Sequence, residues 1–201
     1  MDFAFSNISI SGLPGAGATT LGKSLAQEIA WDYFGGGDFM RAYAIKQGLF
    51  DPVKGLHHDA SVYDDEFDRQ VDFGMRQKVS ESHHNVLESW LSGFMVMGKP
   101  GVLKVLITCS DDSVRIDRIV NRDEVSVEHA KQHIFERERK NLLKWQRLYA
   151  AEWREWVVDP GIMDASEPIN FWDERLYDLV VDTYSSSKEQ ALKEVLAKLT
   201  V

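Results

Sequence analysis

The apolar positions of this chain follow two periods. In FSNISIS, residues 5–11, apolar and polar residues alternate, which is the two-residue period of a strand. Beyond residue 17, Leu21, Leu25 and Ile29 stand four apart with Ala26 and Ala30 alongside, which predicts a helix over TTLGKSLAQEIAWDYF. GGGDFMRAYAIKQG reads as a turn and a short helix. Residues 62–82 are charged, with helical spacing at Phe67, Val71 and Met75. HNVLESWLSGFM reads as a short strand running into a turn. GVLKVLITCS is a strand apolar enough to be covered on both faces. DDSVRIDRIVNRDE begins with N-cap residues and continues as a helix. From Ser126 as N-cap, with Glu128 in the first turn, one long helix is predicted through residue 157. LYDLVVDT is a further strand and SKEQALKEVLAKL a last amphipathic helix. This alternation predicts the α/β class: one domain over 1–201, with a parallel sheet covered by helices on both faces. WREWVVDPGIMDASEPINFWD, residues 153–173, fits neither period. It reads as an irregular excursion packed on the surface, its aromatic residues serving packing.

Composition narrows the partners. The 201 residues are 44% hydrophobic and 27% charged, ordinary for a globular protein. The net charge of −9 argues against nonspecific nucleic-acid binding, yet leaves room for a phosphorylated small molecule held by a local arginine cluster. The single cysteine, Cys109, lies in a predicted strand and is expected to be a core thiol in a reducing compartment. The first residues lack the pattern of a signal peptide, and no run of 18 apolar residues occurs. A cytoplasmic monomer with no membrane or nucleic-acid partner is expected.

Candidate chemistry begins at GLPGAGATT, residues 12–20. It has the frame G-x-x-x-x-G-K-[ST], with Ala18 at the lysine position. Strand, glycine loop and helix follow in the order that a phosphate site requires. Gly12, Gly15, Ala16, Gly17, Ala18, Thr19 and Thr20 would supply backbone amides to a polyphosphate at a helix N-terminus. Thr19 retains the hydroxyl that would coordinate Mg²⁺. The loop without its lysine lacks a charge worth about 3–4 kcal/mol in a transition state. Lys23, one turn further on, reads as a solvated helix residue. An arginine from a mobile lid is the better substitute.

ISISGLPGAGATTLGKSLAQEIA, GGDFMRAYAIKQGL, VLESWLSGF, RIVNRDEVSVEHAKQHIFERERKNLLKWQRLY and YDLVVDT occur in an order that resembles short, archaeal-type cytidylate kinases. The resemblance covers most of the chain and omits residues 50–65 and 153–173. It implies a three-layer P-loop kinase fold with a five-stranded parallel sheet. An acceptor-binding helical part would span about 36–90 and a lid about 115–140. It also implies ATP and Mg²⁺ as cofactors and CMP or dCMP as the acceptor. Asp38 and Arg41 in GDFMR fall where the family grips the acceptor phosphate. Arg118 and Arg122 fall at the lid, and Arg137 matches the first arginine of its R-E-x-x-D-x-x-R-Y segment. Four arginines, Arg41, Arg118, Arg122 and Arg137, would neutralise two phosphate groups and hold the reacting oxygens in line. Glu88 ends a strand in a region the family places near the acceptor, and Asn141 and Lys144 occupy the acceptor-side segment.

The chain also departs from that pattern. Trp90 stands where the family reads the arginine of E-G-R-L-A-G. Asn141 replaces an acid, Lys144 an arginine and Trp145 a tyrosine. Arg115 and Arg139 read as mostly solvated, and YDDEFD, residues 63–68, as a solvated helix start. The pairs His57–His58 and His83–His84 do not suit a metal. Two alternatives follow. One is a catalytically weak nucleotide-binding module using the tryptophans of 153–173 as a contact surface. The other is a kinase for a different acceptor; for a hydroxyl, Asp38 would be the base.

Overall fold

A computed structural model of the chain describes residues 3–46, 48 and 63–200. Five strands form one parallel sheet in the order β2-β3-β1-β4-β5: β1 Asn7–Gly12, β2 Asp32–Gly35, β3 Asn85–Glu88, β4 Val102–Thr108 and β5 Leu179–Asp182. β1 lies at the centre and is buried along its whole length, so its polar residues need partners inside the protein. The Asn7 amide donates to the carbonyls of Val79 (3.3 Å) and Ser82 (2.9 Å) and accepts from the Asn85 amide (2.9 Å). Ser11 Oγ accepts from the backbone N–H of Gly93 at 2.9 Å.

Helix α1, Ala18–Ile29, packs on one face together with α9, Lys188–Leu199. Leu21 and Leu25 meet Ile8, Ile10, Val105 and Val195 there. α1 is shorter than its apolar period suggested. Ala30 takes a left-handed conformation (φ 55°) and its N–H bonds to the Ala26 carbonyl, which ends the helix. Trp31 is then buried against Phe3, and the chain turns into the edge strand β2. A short polar edge strand directly after a helix leaves little periodic signal.

On the other face lie α2 Gly36–Lys46, α3 Asp65–Glu81 and α4 Ser92–Met95, with Met75 and Val79 against Leu87. α5 Asp112–Asp123 and α6 Val127–Lys131 pack on each other, and Val114 of α5 reaches the core beneath α1. The long helix predicted from Ser126 is not uniform. Ser126 does cap α6, but a π-helical turn, Gln132–Glu136, intervenes before α7, Arg137–Leu148. α8, Ala150–Trp153, and a second π-helical turn, Arg154–Val158, follow. Residues 153–173 are not merely laid on the surface. Trp153, Val157, Met163 and Phe171 are buried with Leu91, Phe94, Trp145 and Tyr149 as a second core. Burying those rings removes much of the contact surface that the binding-module reading required. No helix among the described residues is long and apolar enough to cross a membrane.

The chain leaves β3 and passes β1 to reach β4 on its far side. The carboxyl ends of β1 and β3 therefore open at a point where the strand order reverses, the usual place for a ligand in such sheets.

Candidate active site

The loop after β1 is shaped by its glycines. Gly15 (φ +79°) and Gly17 (φ +102°) adopt backbone conformations costly for any other residue. A side chain at Gly15 would place Cβ 2.7 Å from the Arg115 carbonyl oxygen, and at Gly12 2.8 Å from Ala18 Cβ. The loop delivers the chain to Gly17, the N-cap, so the first-turn amides of α1 begin at Ala18. Ala18 is buried, with no cation where the motif places its lysine.

Thr19 and β3 meet at the loop. Thr19 Oγ1 donates to Glu88 Oε2 at 3.2 Å, and the Tyr33 hydroxyl donates to the same oxygen at 3.0 Å. Burial pushes the Glu88 carboxyl up, and the two hydrogen bonds oppose the shift. The Tyr33 hydroxyl is raised, first by burial and then by Glu88. The geometry therefore puts Glu88 beside Thr19, at the phosphate loop. Two hard oxygen donors side by side fit a small divalent cation.

Two arginines of α5 brace the loop from outside. Arg118 donates to the carbonyls of Gly15 (3.0 Å) and Ala16 (3.4 Å), and to Thr183 at its hydroxyl (2.8 Å) and carbonyl (2.9 Å). Arg115 is buried, contrary to the expectation that it is solvated. Its Nε donates to the Pro14 carbonyl at 3.0 Å, and its guanidinium pairs with Asp112 (2.9 Å) and Glu138 (3.1 Å). Arg115, Arg118 and Arg122 are spaced three and four apart, a signal that could have put Arg115 on the same face. Arg139 is exposed, as expected.

Arg122 is exposed and paired with Asp123. Arg137 contacts His133 Nε2 at 3.0 Å and lies over the Trp90 ring, 4.8 Å from its centre. Lys23 is not simply solvated: it pairs with Asp38 at 3.2 Å and lies over the Tyr33 ring.

These residues surround one cleft of about 870 Å³. Gly12, Gly15 to Thr20, Asp38, Arg41, Glu88, Arg118, Arg122 and Arg137 all line it. A side cavity of about 90 Å³ shares Gly37, Arg41, Ser89, Trp90 and Arg137 with the cleft. Asn141 lines only the side cavity. Lys144 lines neither; its ammonium pairs with Asp68 at 2.8 Å and donates to the Tyr63 carbonyl at 2.8 Å. Among the described residues no cluster of three metal-ligating side chains occurs, and His57–His58 lie outside them.

The side cavity holds residues that sequence reasoning missed. Asp68 belongs to the segment read as a solvated helix start, but it is 2% exposed. Lys144 stands within ion-pair distance and Trp145 close by, yet no described donor reaches Asp68 Oδ1 in hydrogen-bond geometry. Asp72, one turn on, is buried and accepts from the Tyr149 hydroxyl at 2.6 Å. Both aspartates share the α3 face that carries Val71, Met75 and Val79, a period legible in the sequence. Burial raises Asp68 and pushes the Asp72 carboxyl up to about 7.

A stability prediction follows. An unfolded aspartate titrates near 3.9, so between there and about pH 7 the folded chain holds a proton that the unfolded chain has lost. That contribution is complete below the unfolded value and is lost as pH rises through the folded one. The melting temperature should therefore fall between about pH 4 and 7 and level off above. Asp72→Asn, which keeps an acceptor for Tyr149, should flatten the fall, removing about 2–4 kcal/mol of pH dependence. An unchanged profile would show that Asp72 ionises normally.

A model of the cytidylate kinase-like family matches residues 7–185. A cytidylate kinase of Haloarcula marismortui is 32% identical over 176 residues, 88% of this chain and 80% of the relative. One of Methanopyrus kandleri is 27% identical over 201 residues, 96% of this chain and 92% of the relative. Among solved structures, a gluconokinase of Sinorhizobium meliloti 1021 superposes with a TM-score of 0.53 at 13% identity, covering 98% of this chain and 93% of that one. That likeness shows the fold alone, a P-loop kinase fold. The glycine loop, the strand order around it and the family match over residues 7–185 converge: the chain belongs to the cytidylate kinase-like family.

Proposed function

We propose that this protein transfers the γ-phosphoryl group of ATP to CMP or dCMP. The observation that carries the proposal is the joined pair of cavities. A phosphate loop lines the larger, a buried carboxylate lines the smaller, and Arg41 and Arg137 stand where they meet.

The loop amides from Gly15 to Thr20 bind the donor phosphates. The Thr19 hydroxyl, with Glu88 behind it, would hold Mg²⁺, which would offset phosphate charge. Arg41 grips the acceptor phosphate, aided by Asp38. Arg122 and Arg137 close over the transferring group from the lid. Arg118 holds the loop that binds the donor. An acceptor phosphate oxygen is already ionised, so no general base is required.

The side cavity, about 90 Å³, is too small to enclose a base by itself, but it shares five residues with the larger cleft, so a base could lie across the two. Asp68 Oδ1 is a buried acceptor suited to the exocyclic amine of cytosine. Uracil would present a carbonyl there, and two acceptors would face one another. Asn141 lines the same cavity. Asp68→Asn can donate to that carbonyl. It should shift the CMP/UMP ratio of kcat/KM toward UMP by about tenfold to a hundredfold. An unchanged ratio would remove Asp68 from base recognition.

ADP release from Mg·ATP, measured with CMP, dCMP, UMP, AMP, GMP or no acceptor, tests the proposal. Stimulation by CMP or dCMP is expected. Stimulation by another member of the panel alone would overturn the choice of acceptor.

A further inference from the structure

Trp90 stands at the mouth of both cavities and faces a cation. The Arg137 guanidinium lies 4.8 Å from the centre of its ring, within the range of a cation–π contact. His133 Nε2 lies 3.0 Å from the same guanidinium. Trp90 is itself held firmly. Trp145 and Trp172 make T-shaped contacts with it at 5.5 and 6.3 Å, and the Trp172 indole N–H donates to its carbonyl at 2.8 Å. His133 lies within the π-helical turn Gln132–Glu136 and Arg137 follows it directly, so the two side chains leave the helix where its winding changes. An arginine side chain has many rotamers, and fixing it in advance lowers the entropy lost when a phosphate arrives.

We infer that Trp90 is a positioning residue, whose ring face, together with His133, holds Arg137 at the junction of the two cavities in the orientation that phosphoryl transfer uses. As a statement about turnover the inference rests on the proposed phosphotransfer; as a statement about the contact it does not.

A double-mutant cycle separates the two. Trp90→Leu, Arg137→Met and the double variant are compared with the parent in kcat, in KM for each substrate and in melting temperature. Trp90→Leu should lower kcat about tenfold to thirtyfold with KM for ATP little changed. The double variant should be no slower than Arg137→Met alone. Trp90→Phe, which keeps a ring face, should recover most of the loss. Additive effects on kcat, or a Phe variant as slow as the Leu variant, would overturn the inference. If the parent protein shows no turnover, the phosphotransfer proposal fails by itself, and the contact is then judged from melting temperatures. Losses from the single variants that sum to more than the loss in the double variant support it; strictly additive losses reject it.

Discussion

Arg118→Met is expected to lower kcat/KM for ATP about a hundredfold or more, although Arg118 need not touch the reacting phosphate. Its guanidinium ties the carbonyls of Gly15 and Ala16 to both polar groups of Thr183, and so locks the loop to the end of β5. Hydrogen bonds from a charged donor are worth about 1.5–3 kcal/mol each where they are buried. Methionine fills the space of the stem but satisfies none of those acceptors. The loop amides would then have to be ordered by the nucleotide itself, at a cost in both affinity and rate. A fall in melting temperature should accompany the fall in activity. Arg122→Met is the control. Arg122 is exposed and pairs with the adjacent Asp123, so its loss should affect turnover with little change in melting temperature. If Arg118→Met binds Mg·ATP like the parent, as read by calorimetry, the bracing role is wrong.

Gly15→Ala should be as damaging for a different reason. At φ +79° an alanine pays about 1–2 kcal/mol in backbone strain alone. Its Cβ would also meet the Arg115 carbonyl oxygen at 2.7 Å and Cα at 3.0 Å. Those are backbone atoms of a helix whose Arg115 is anchored to Pro14, Asp112 and Glu138, so neither side can yield without moving the loop or α5. A total loss of about 2–4 kcal/mol in stability is expected, together with loss of most ATP-dependent turnover. Gly17→Ala provides the comparison. It has an equally unfavourable φ of +102°, but its nearest neighbour would be Thr183 Cγ2 at an ordinary 3.8 Å. It should lose less melting temperature than Gly15→Ala. Equal losses would mean that strain, and not the packing of the loop against Arg115, controls the site.

The loop was legible because its chemistry is local: Gly15 and Gly17 are required by backbone conformation, and Thr19 follows at a fixed spacing. The strands β1, β4 and β5 and the helix α5 could be read from period and caps. What escaped depends on partners distant in sequence. The strand β2 is only four residues long and is defined by its pairing with β3. Arg115 looked like any helix arginine until Pro14, 101 residues away, was brought against it. Asp68 looked like part of an acidic helix start, yet its position on the apolar face of α3 was written in the spacing to Val71 and Met75. The tryptophans of 153–173 could not be divided between surface and core by composition, because the cover they provide is for Phe94 on α4, far away in sequence.

The most direct test of the central claim is to follow the phosphorus atoms. The purified protein is mixed with equal amounts of Mg·ATP and CMP, and the reaction is watched by ³¹P NMR. The γ-phosphate resonance of ATP is expected to fall to a steady level as the two resonances of CDP and of ADP grow in equal amounts, with no inorganic phosphate. Persistence of ATP and CMP unchanged, under conditions in which Mg·ATP raises the melting temperature, would contradict it: the loop would bind nucleotide without transferring phosphate to this acceptor.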